Sequence, residues 1–409
     1  MNSSTTRPPD GDDLLDAARR LLPGLVDLRR ALHRAPELGL RLPATQRTVL
    51  TALDGLPLTR ATGRQLDSVT ATLDGARPGP TILLRADMDA LPQQEDSGLD
   101  FASQVPGAMH ACGHDLHTAM LVGAARLLAE RRELLAGRVV FMFQPGEEWG
   151  GGAARMIDEG ILDAGVEGGA VEAAFALHVM TRMEPGTVHL RPGPAFAASD
   201  MLHVTVRGRG GHASAPHLAL DPIPVACEIV QALQAMVTRT VSVFDPAVVT
   251  VARIDAGTTT NIIPETAEIR GTCRTLTPAT RTAVRDGITR VAHHVAAAHG
   301  ATAEVELVEG YPPVRNDPAF TAQVTDTATG LLGPGRVHHL PDPIMGAEDF
   351  SYVLERVPGT MALLGARPRG APPGPVPDCH SNRVVFDETV LAEGSALHAA
   401  VALSHLAAP

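Results

Sequence analysis

Three histidines, a cysteine and a carboxylate occupy eight consecutive residues between His110 and His117. The segment reads His-Ala-Cys-Gly-His-Asp-Leu-His and leads into an apolar run with helical spacing. Imidazole and thiolate groups are preferred ligands of zinc and neighbouring transition metals, so the segment predicts a bound metal ion. Cys112 and His114 would face one ion if the backbone between them were extended, because side chains at i and i+2 then point the same way. The alternative is a buried cysteine beside a His-Asp pair that caps a helix.

Further candidate ligands lie where buried strands are predicted to end. Residues 81–85, 138–143 and 173–179 are nearly continuously apolar, as in strands covered on both faces. The carboxyl ends of parallel strands meet at one edge of a sheet, where α/β proteins place their sites. The polar side chains predicted to reach this edge are Asp87, Asp89, Glu147, Glu148, His178 and, from a Pro/Gly-rich loop, His380. Taken alone, a Glu-Glu pair more often belongs to a solvated loop, and a lone histidine more often lies in a core. The prediction of a site therefore depends on finding all these residues at one sheet edge.

The composition narrows the class of protein. With 409 residues, the chain exceeds the usual size of one core, which favours two domains. The net charge of −12 argues against nucleic acid or an anionic membrane as partner. Four cysteines without a Cys-x-x-Cys motif argue against a disulfide scaffold or a structural zinc finger. A polar N-terminus and the lack of an apolar run near about 18 residues predict no signal peptide, no membrane span and a cytoplasmic location.

The order of predicted elements divides the chain. Residues 1–13 are predicted to form a disordered tail, and residues 74–80, rich in Gly and Pro, a turn between two strands. Residues 14–196 and 312–409 have the pattern of apolar strands and helices that is typical of an α/β domain, and they contain the candidate site. Residues 197–311 change to alternating strands and two long helices in β-α-β-β-α-β order, which is typical of a ferredoxin-like sandwich. We therefore predict that this α+β unit is inserted between the two halves of the first domain.

Several long motifs, in the same order along the chain, carry a family resemblance. The motifs are residues 32–39 (LHRAPELG), 85–92 (RADMDALP), 110–117 (HACGHDLH), 144–148 (QPGEE), 208–216, 261–264 (NIIP) and 346–350 (GAEDF). With them the chain resembles the M20 metallopeptidases from about residue 29 to residue 403, and within them the amidohydrolase branch of hippurate hydrolases, N-acyl-amino-acid amidohydrolases and auxin-conjugate hydrolases. After His380 the sequence departs from the usual family pattern, so the surroundings of that residue are expected to differ.

The resemblance implies a two-metal hydrolase with a mixed central sheet flanked by helices. The divalent ions would be Zn, Mn, Co or Ni, and the implied ligands are Cys112, His114, Glu148, His178 and His380. Glu147 would be the general base for a metal-bound hydroxide that attacks an amide carbonyl. Asp87 and Asp89 would orient a histidine ligand or tune the pocket from behind, and Asp89 is counted with Glu147 and His212 among the predicted catalytic residues. The alternative for both aspartates is a turn at the strand end.

The resemblance also implies roles for the inserted unit. It would serve as a lid and dimerisation domain, with His212 and Asn261 reaching the partner subunit's active site to stabilise the oxyanion. A histidine in a glycine-rich loop is otherwise an ordinary turn residue. Arg274 is a candidate partner for a substrate carboxylate, and a surface charge is the equal alternative.

The sequence therefore predicts a homodimeric, metal-dependent amidohydrolase that cleaves an N-acyl amino acid. One alternative is a dipeptidase or carboxypeptidase on the same scaffold. A second is a metal-bound binding protein without turnover, against which the presence of Glu147 beside every expected ligand counts.

Overall fold

The computed structural model describes residues 11–163, 169–372 and 374–407. The chain forms two compact units. The first comprises the described parts of Met1–Gly193, Arg315–Pro341 and Tyr352–Pro409, and the second comprises Pro194–Val314 and Asp342–Ser351. Among the described residues, no helix is long and apolar enough to cross a membrane.

A mixed eight-stranded sheet forms the centre of the first unit, as the fold-class prediction required. Its strands are β1 (Thr59–Thr62), β2 (Val69–Asp74), β3 (Arg77–Asp87), β4 (Ala136–Gln144), β5 (Ala173–Met180), β6 (Val188–Leu190), β15 (Val337–His339) and β16 (Gly359–Gly365). Their spatial order is β1-β2-β4-β3-β5-β16-β6-β15. Strands β4, β3, β5 and β16 are mutually parallel, so their carboxyl ends share one edge.

The predicted turn over residues 74–80 is wrong beyond its first residues. Strand β3 already begins at Arg77 and runs through the Pro-Gly-Pro sequence. Its pairing with β4 shifts register between Arg77 and Thr81, and a bulge of this kind tolerates prolines that cannot donate to the ladder. The turn is therefore confined to the short connection from β2.

Helices cover the sheet of the first unit and bury an extensive aliphatic core. They are α1 (Gly11–Arg34), α2 (Pro43–Ala52), α3 (His114–Glu130), α4 (Gly152–Asp158), α7 (Pro318–Leu332) and α9 (Val390–His405), with the short α8 (Ser351–Leu354) at a boundary between the units. Helix α1 ends before Pro36, which cannot continue it. It begins at Gly11, inside the range 1–13 that was predicted as a tail; residues 1–10 lie outside the described part of the chain.

The second unit has the expected β-α-β-β-α-β order. Its main elements are β8 (Ala198–Arg207), α5 (Pro222–Thr240), β10 (Ala247–Ala256), β12 (Thr266–Thr275), α6 (Pro278–Ala298) and β13 (Thr302–Glu309). The antiparallel sheet has the order β10-β12-β8-β13, and both helices share one apolar core with it. Asp221 and Thr277 cap the two helices, and a proline follows each cap at the first helical position, where no amide donor is needed.

Short strands complete the two units. Strands β9 (Gly211–His212) and β11 (Ile262–Ile263) pair with each other in the second unit, while β7 (Gly193–Phe196) and β14 (Val314–Asn316) lie at its sequence boundaries. The segment Asp342–Ser351 joins the second unit because Ile344 exchanges backbone hydrogen bonds with Ala195 and Ala197.

A buried ionic cluster ties α1 to the start of α3. Arg29 Nε lies 2.7 Å from Asp115 Oδ2, and both side chains are almost fully buried. His33 Nδ1 donates to the same carboxylate at 2.8 Å, and its Nε2 lies 3.1 Å from Glu95 Oε1. Burial alone would raise the pKa of Asp115, but Arg29 and His33 hold it well below its usual range. Burial alone would lower the pKa of His33, and the two carboxylates raise it instead.

The cluster decides between the two roles that the sequence leaves open for Asp115, a helix cap or a hydrogen-bond partner. Helix α3 has Gly113 at its N-cap and no side-chain cap hydrogen bond. Asp115 is therefore not a helix cap. It is the partner of a buried cation, and it fixes the first turn of the helix that begins with His114.

Arg29→Met is expected to destabilise the protein by about 3–5 kcal/mol, because removing one partner leaves buried carboxylates with an incomplete set of cations. Urea unfolding of the metal-free protein measures the change. Arg19→Met on the same helix is the matched control, since Arg19 is 55% exposed in its pair with Asp16 and should cost less than about 1 kcal/mol. Equal shifts of the two midpoints would contradict a structural role for the cluster.

Candidate metal centre

A left-handed turn brings Cys112 and His114 together. Gly113, between them, has a φ of 85°, and a Cβ at this position would clash with the Val179 side chain. A side chain is therefore excluded on both conformational and steric grounds. The expectation of an extended backbone is wrong here, but a donor atom of Cys112 and one of His114 still lie within 4.8 Å of each other.

Two groups of donor atoms share the Cys112 thiol. Cys112, His114 and His178 each place one donor atom within 4.8 Å of the other two, and so do Cys112, Glu148 and His380. Cys112 Sγ lies 3.4 Å from His178 Nε2, and His380 Nε2 lies 3.1 Å from Glu148 Oε1. All five residues belong to the first unit. The structure thus brings together every residue that was predicted as a ligand.

Glu147 lies beside this cluster and is almost fully buried. Its carboxylate, that of Glu148 and the His114 ring contribute one atom each within a mutual distance of 4.8 Å. Asp89 shapes the loop that carries both glutamates: Glu147 N donates to its Oδ1 at 2.9 Å and Glu148 N to its Oδ2 at 3.1 Å. Asp89 therefore positions the loop through its carboxylate, and its backbone carbonyl accepts a 2.8 Å hydrogen bond from His114 Nδ1.

Asp87 lies behind the cluster in a buried chain of polar contacts. Arg85 Nη1 donates to Asp87 Oδ2 at 2.6 Å, and His117 Nδ1 donates to Asp87 Oδ1 at 2.6 Å. His117 Nε2 in turn accepts from Val179 N at 2.9 Å, next to His178. The sequence predicted that Asp87 orients a histidine ligand or tunes the pocket from behind, but it did not identify Arg85. A charged residue in an otherwise apolar strand was the available signal for a buried partner.

The hydrogen bonds fix which nitrogen of each histidine faces the cluster. His178 Nδ1 donates to the carbonyl of Val179 at 2.7 Å, so its Nε2 points towards Cys112 without a proton. His114 uses Nδ1 for Asp89, which leaves its Nε2 towards Glu148. Burial, followed by the nearby His117, lowers the pKa of His178 well below its usual range. His178 is thus a neutral imidazole, the form that binds a metal ion.

The carboxylates around His114 make the site attract positive charge. Burial alone would lower the pKa of His114, but Asp87, Asp89 and Glu148 raise it to about 10. His114 Nε2 is nevertheless buried without a hydrogen bond to any described residue, since Asp87 is 3.6 Å and Glu148 4.0 Å away. An orphaned imidazole nitrogen, a thiol and several carboxylates suit one or more divalent transition metal ions. The residues present therefore fit a metal centre.

His380 enters the cluster in an unusual backbone conformation. Among the described non-glycine residues it alone has a positive φ, of 69°. Its amide donates to the Ala111 carbonyl at 2.8 Å, which fastens the loop next to Cys112. Non-glycine residues adopt this region only when their surroundings require it, and such positions concentrate at functional sites.

Three other predicted site residues lie in the second unit. His212 and Asn261 are exposed and close together, because His212 pairs with Ile262 and Ala213 N donates to the Asn261 carbonyl at 3.1 Å. They line a surface cavity of about 490 Å³. Arg274 is not with them: it lies at the other end of β12, roughly 25 Å further along the strand at about 3.3 Å per residue. There its Nη1 donates to Ser199 Oγ at 2.7 Å.

Fold and site together define a metal-dependent hydrolase of the α/β class. The chain belongs to Peptidase family M20/M25/M40, whose model matches residues 83–404. The predicted family is therefore confirmed. Members of this family hydrolyse amide bonds, and so does this enzyme.

Individual relatives share most of the chain. It is 36% identical over 396 residues to thermostable carboxypeptidase 1 of Saccharolobus solfataricus, covering 96% of this chain and 98% of that one. It is 40% identical over 342 residues to the N-acetylcysteine deacetylase of Bacillus subtilis, covering 83% and 88%. It is 36% identical over 386 residues to IAA-amino acid hydrolase ILR1-like 4 of Arabidopsis thaliana, covering 93% and 86%.

A solved structure supports the metal requirement. The Bacillus subtilis YXEP protein, a dinuclear metal-binding peptidase of the M20 family, matches with a TM-score of 0.82 at 34% identity and covers 95% of this chain and 99% of that one. Together with the donor cluster, this confirms the prediction of two divalent metal ions.

Proposed function

We propose that the protein hydrolyses the amide bond of an N-acyl amino acid, releasing a carboxylic acid and a free amino acid. The observation that carries the proposal is the buried Glu147 beside two donor groups that share Cys112. Similarity to an N-acetylcysteine deacetylase and to an IAA-amino acid hydrolase, at 40% and 36% identity, supports this substrate class.

The ligand assignment follows from the two donor groups. Cys112, His114 and His178 would hold one ion, while Glu148 and His380 would hold the second together with Cys112. When bound, the ions supply Lewis acidity for a water molecule and for the amide carbonyl. Asp89 holds the Glu147–Glu148 loop by both backbone amides, and the Arg85–Asp87–His117 chain supports the strand end that carries His178.

Glu147 performs the proton transfers in this proposal. It is not needed to complete either donor group, so its carboxylate is available to accept a proton from the attacking water. The same carboxyl then donates that proton to the departing nitrogen, which leaves as a neutral amine. Its near-complete burial excludes bulk water, which would otherwise compete for the proton.

His212 has the geometry of an oxyanion donor. Its Nδ1 accepts a hydrogen bond from Ser214 N at 3.1 Å, so the proton of the neutral ring is on Nε2. We propose that this N–H and the amide of Asn261 stabilise the oxyanion in the active site of the partner subunit of a homodimer, with the second unit serving as lid and dimerisation domain. Exposure of both side chains on the second unit supports a role towards another surface.

A carboxypeptidase is the second candidate function. It is favoured by the 36% identity to thermostable carboxypeptidase 1 over nearly the whole chain. The two functions share the metal chemistry and differ in the group on the carbonyl side of the scissile amide. That group is an uncharged acyl group in an N-acyl amino acid and carries an ammonium in a dipeptide.

A hydrolysis panel separates the two functions. We expect N-acetyl, N-benzoyl and indole-acyl amino acids to be cleaved with a kcat/KM at least about 100-fold above that of dipeptides of the same C-terminal residue. The ammonium of a dipeptide lies next to the scissile carbonyl, where two bound cations would repel it. The panel is run with Zn, Mn, Co and Ni, and amino-acid release is measured. A preference for dipeptides would overturn the amidohydrolase in favour of the peptidase.

A further inference from the structure

Cys379 precedes the predicted ligand His380 and lies against Cys112. The hydrogen bond from His380 N to Ala111 O, 2.8 Å long, joins the two backbone segments, and each cysteine is the next residue beside that bond. Their sulfurs border consecutive residues: Cys112 Sγ is 3.4 Å from His178 Nε2, and Cys379 Sγ is 3.7 Å from the Val179 carbonyl.

The separation of the segments suits a covalent link. A disulfide needs Cβ atoms about 3.5–4.5 Å apart. The 2.8 Å hydrogen bond from His380 N to Ala111 O holds the two cysteine-bearing segments side by side, so a movement of the 379–380 backbone brings the sulfurs together. Cys379 is only partly buried, whereas Cys112 is 8% exposed. An oxidant from solvent therefore reaches Cys379 first.

We propose that Cys112 and Cys379 are a reversible oxidation site, at which a hydroperoxide converts the two thiols of the metal-free protein into a disulfide that excludes metal. The exclusion rests on the proposed function, in which Cys112 is a ligand of both ions. A sulfur in a disulfide has no thiolate to offer, so the bound ions and the disulfide compete for the same atom. By linkage, each protects the protein against the other.

The chemistry balances in two steps. The Cys379 thiolate attacks one oxygen of hydrogen peroxide, the O–O bond breaks, and the products are a sulfenic acid and, after protonation, water. The Cys112 thiol then attacks the sulfenic sulfur, the S–S bond forms, and a second water leaves with the hydroxyl and the thiol proton. One peroxide is reduced and two thiols are oxidised, and a dithiol reductant reverses the reaction.

The test treats metal-free and zinc-loaded protein with one equivalent of hydrogen peroxide. The metal-free protein is expected to lose two titratable thiols and to give a linked pair of peptides containing Cys112 and Cys379, whereas the loaded protein should react at least about 10-fold more slowly. After peroxide removal, zinc affinity should be at least about 100-fold lower. Loss of a residue that only hydrogen-bonds to a metal ligand already lowers metal affinity by about 10–100-fold, and here a ligand itself is lost. Dithiothreitol should restore it.

Matched variants identify the thiols. Cys379→Ser should keep both its basal activity and its zinc affinity after peroxide, whereas Cys227→Ser, which removes an exposed cysteine on α5 in the second unit, should behave as wild type. Absence of the linked peptides from wild-type protein that has lost two thiols would overturn the oxidation site, whatever the variants do. Linked protein that still binds both ions would instead overturn the ligand role of Cys112 in the proposed function.

Discussion

Glu147→Gln is expected to lower kcat by about 10²–10⁴-fold while the protein keeps both metal ions. The amide has the shape of the carboxylate but cannot take a proton from water. Neither of the two donor groups that share Cys112 requires Glu147, so metal content should not change. Steady-state kinetics on an N-acyl amino acid and elemental analysis of the purified variant provide the two measurements.

Glu148→Gln is the matched control for this substitution. It is the neighbouring residue and undergoes the same chemical change, but it belongs to the donor group with Cys112 and His380. We expect this variant to lose metal and activity together. Loss of metal from Glu147→Gln would refute its assignment as the base, and full turnover by that variant would exclude it from proton transfer.

Mixing two inactive variants is expected to restore about a quarter of the wild-type activity, if His212 acts on the partner subunit of a homodimer. Glu147→Gln lacks the base and His212→Ala lacks the oxyanion donor. In a hybrid dimer one site contains both defects and the other contains neither. Random reassortment makes about half of the dimers hybrid, and each hybrid has one intact site of two.

Subunit exchange must be shown independently, for example by co-purification of an untagged variant with a tagged one. The control mixes the Glu147→Gln, His212→Ala double variant with the Glu147→Gln variant, a combination in which no hybrid has an intact site. Absence of recovery despite exchange would place His212 in its own subunit's site or in none. Recovery at the expected level supports both the homodimer and the oxyanion role.

The candidate ligands could be predicted from the sequence because metal ions bind only a few types of side chain. Cys112, His114 and the Glu147–Glu148 pair follow or flank strands whose apolar runs identify them, and parallel strands must end at one edge. His178, near a strand end, and His380, in a Pro/Gly-rich loop, were candidates by the same reasoning, and the family resemblance then implied the full set of five ligands. The structure places a donor atom of each near the others.

The local conformations were less accessible because they depend on contacts between distant residues. The turn at Gly113 is left-handed and passes against Val179, which a two-residue spacing does not reveal. Asp115 resembles a helix cap by its position, yet Arg29, 86 residues earlier in the numbering, makes it an ionic partner. Likewise, the sequence left Arg274 as either a partner of a substrate carboxylate or a surface charge, and it did not reveal that β12 separates this residue from His212 and Asn261.

The sequence by itself determined the family, the α/β class, the need for divalent ions and the residue types expected to bind them. Each follows from local pattern or from the chemistry of a side chain. Only the tertiary structure decided that the Cys112 thiol is shared by two donor groups, that His178 presents Nε2, and that the segments carrying Cys112 and Cys379 are joined by a hydrogen bond. These features depend on how the Gly113 turn, the Val179 strand end and the His380 loop pack together. The three segments are far apart in the sequence, so no single local pattern predicts their packing.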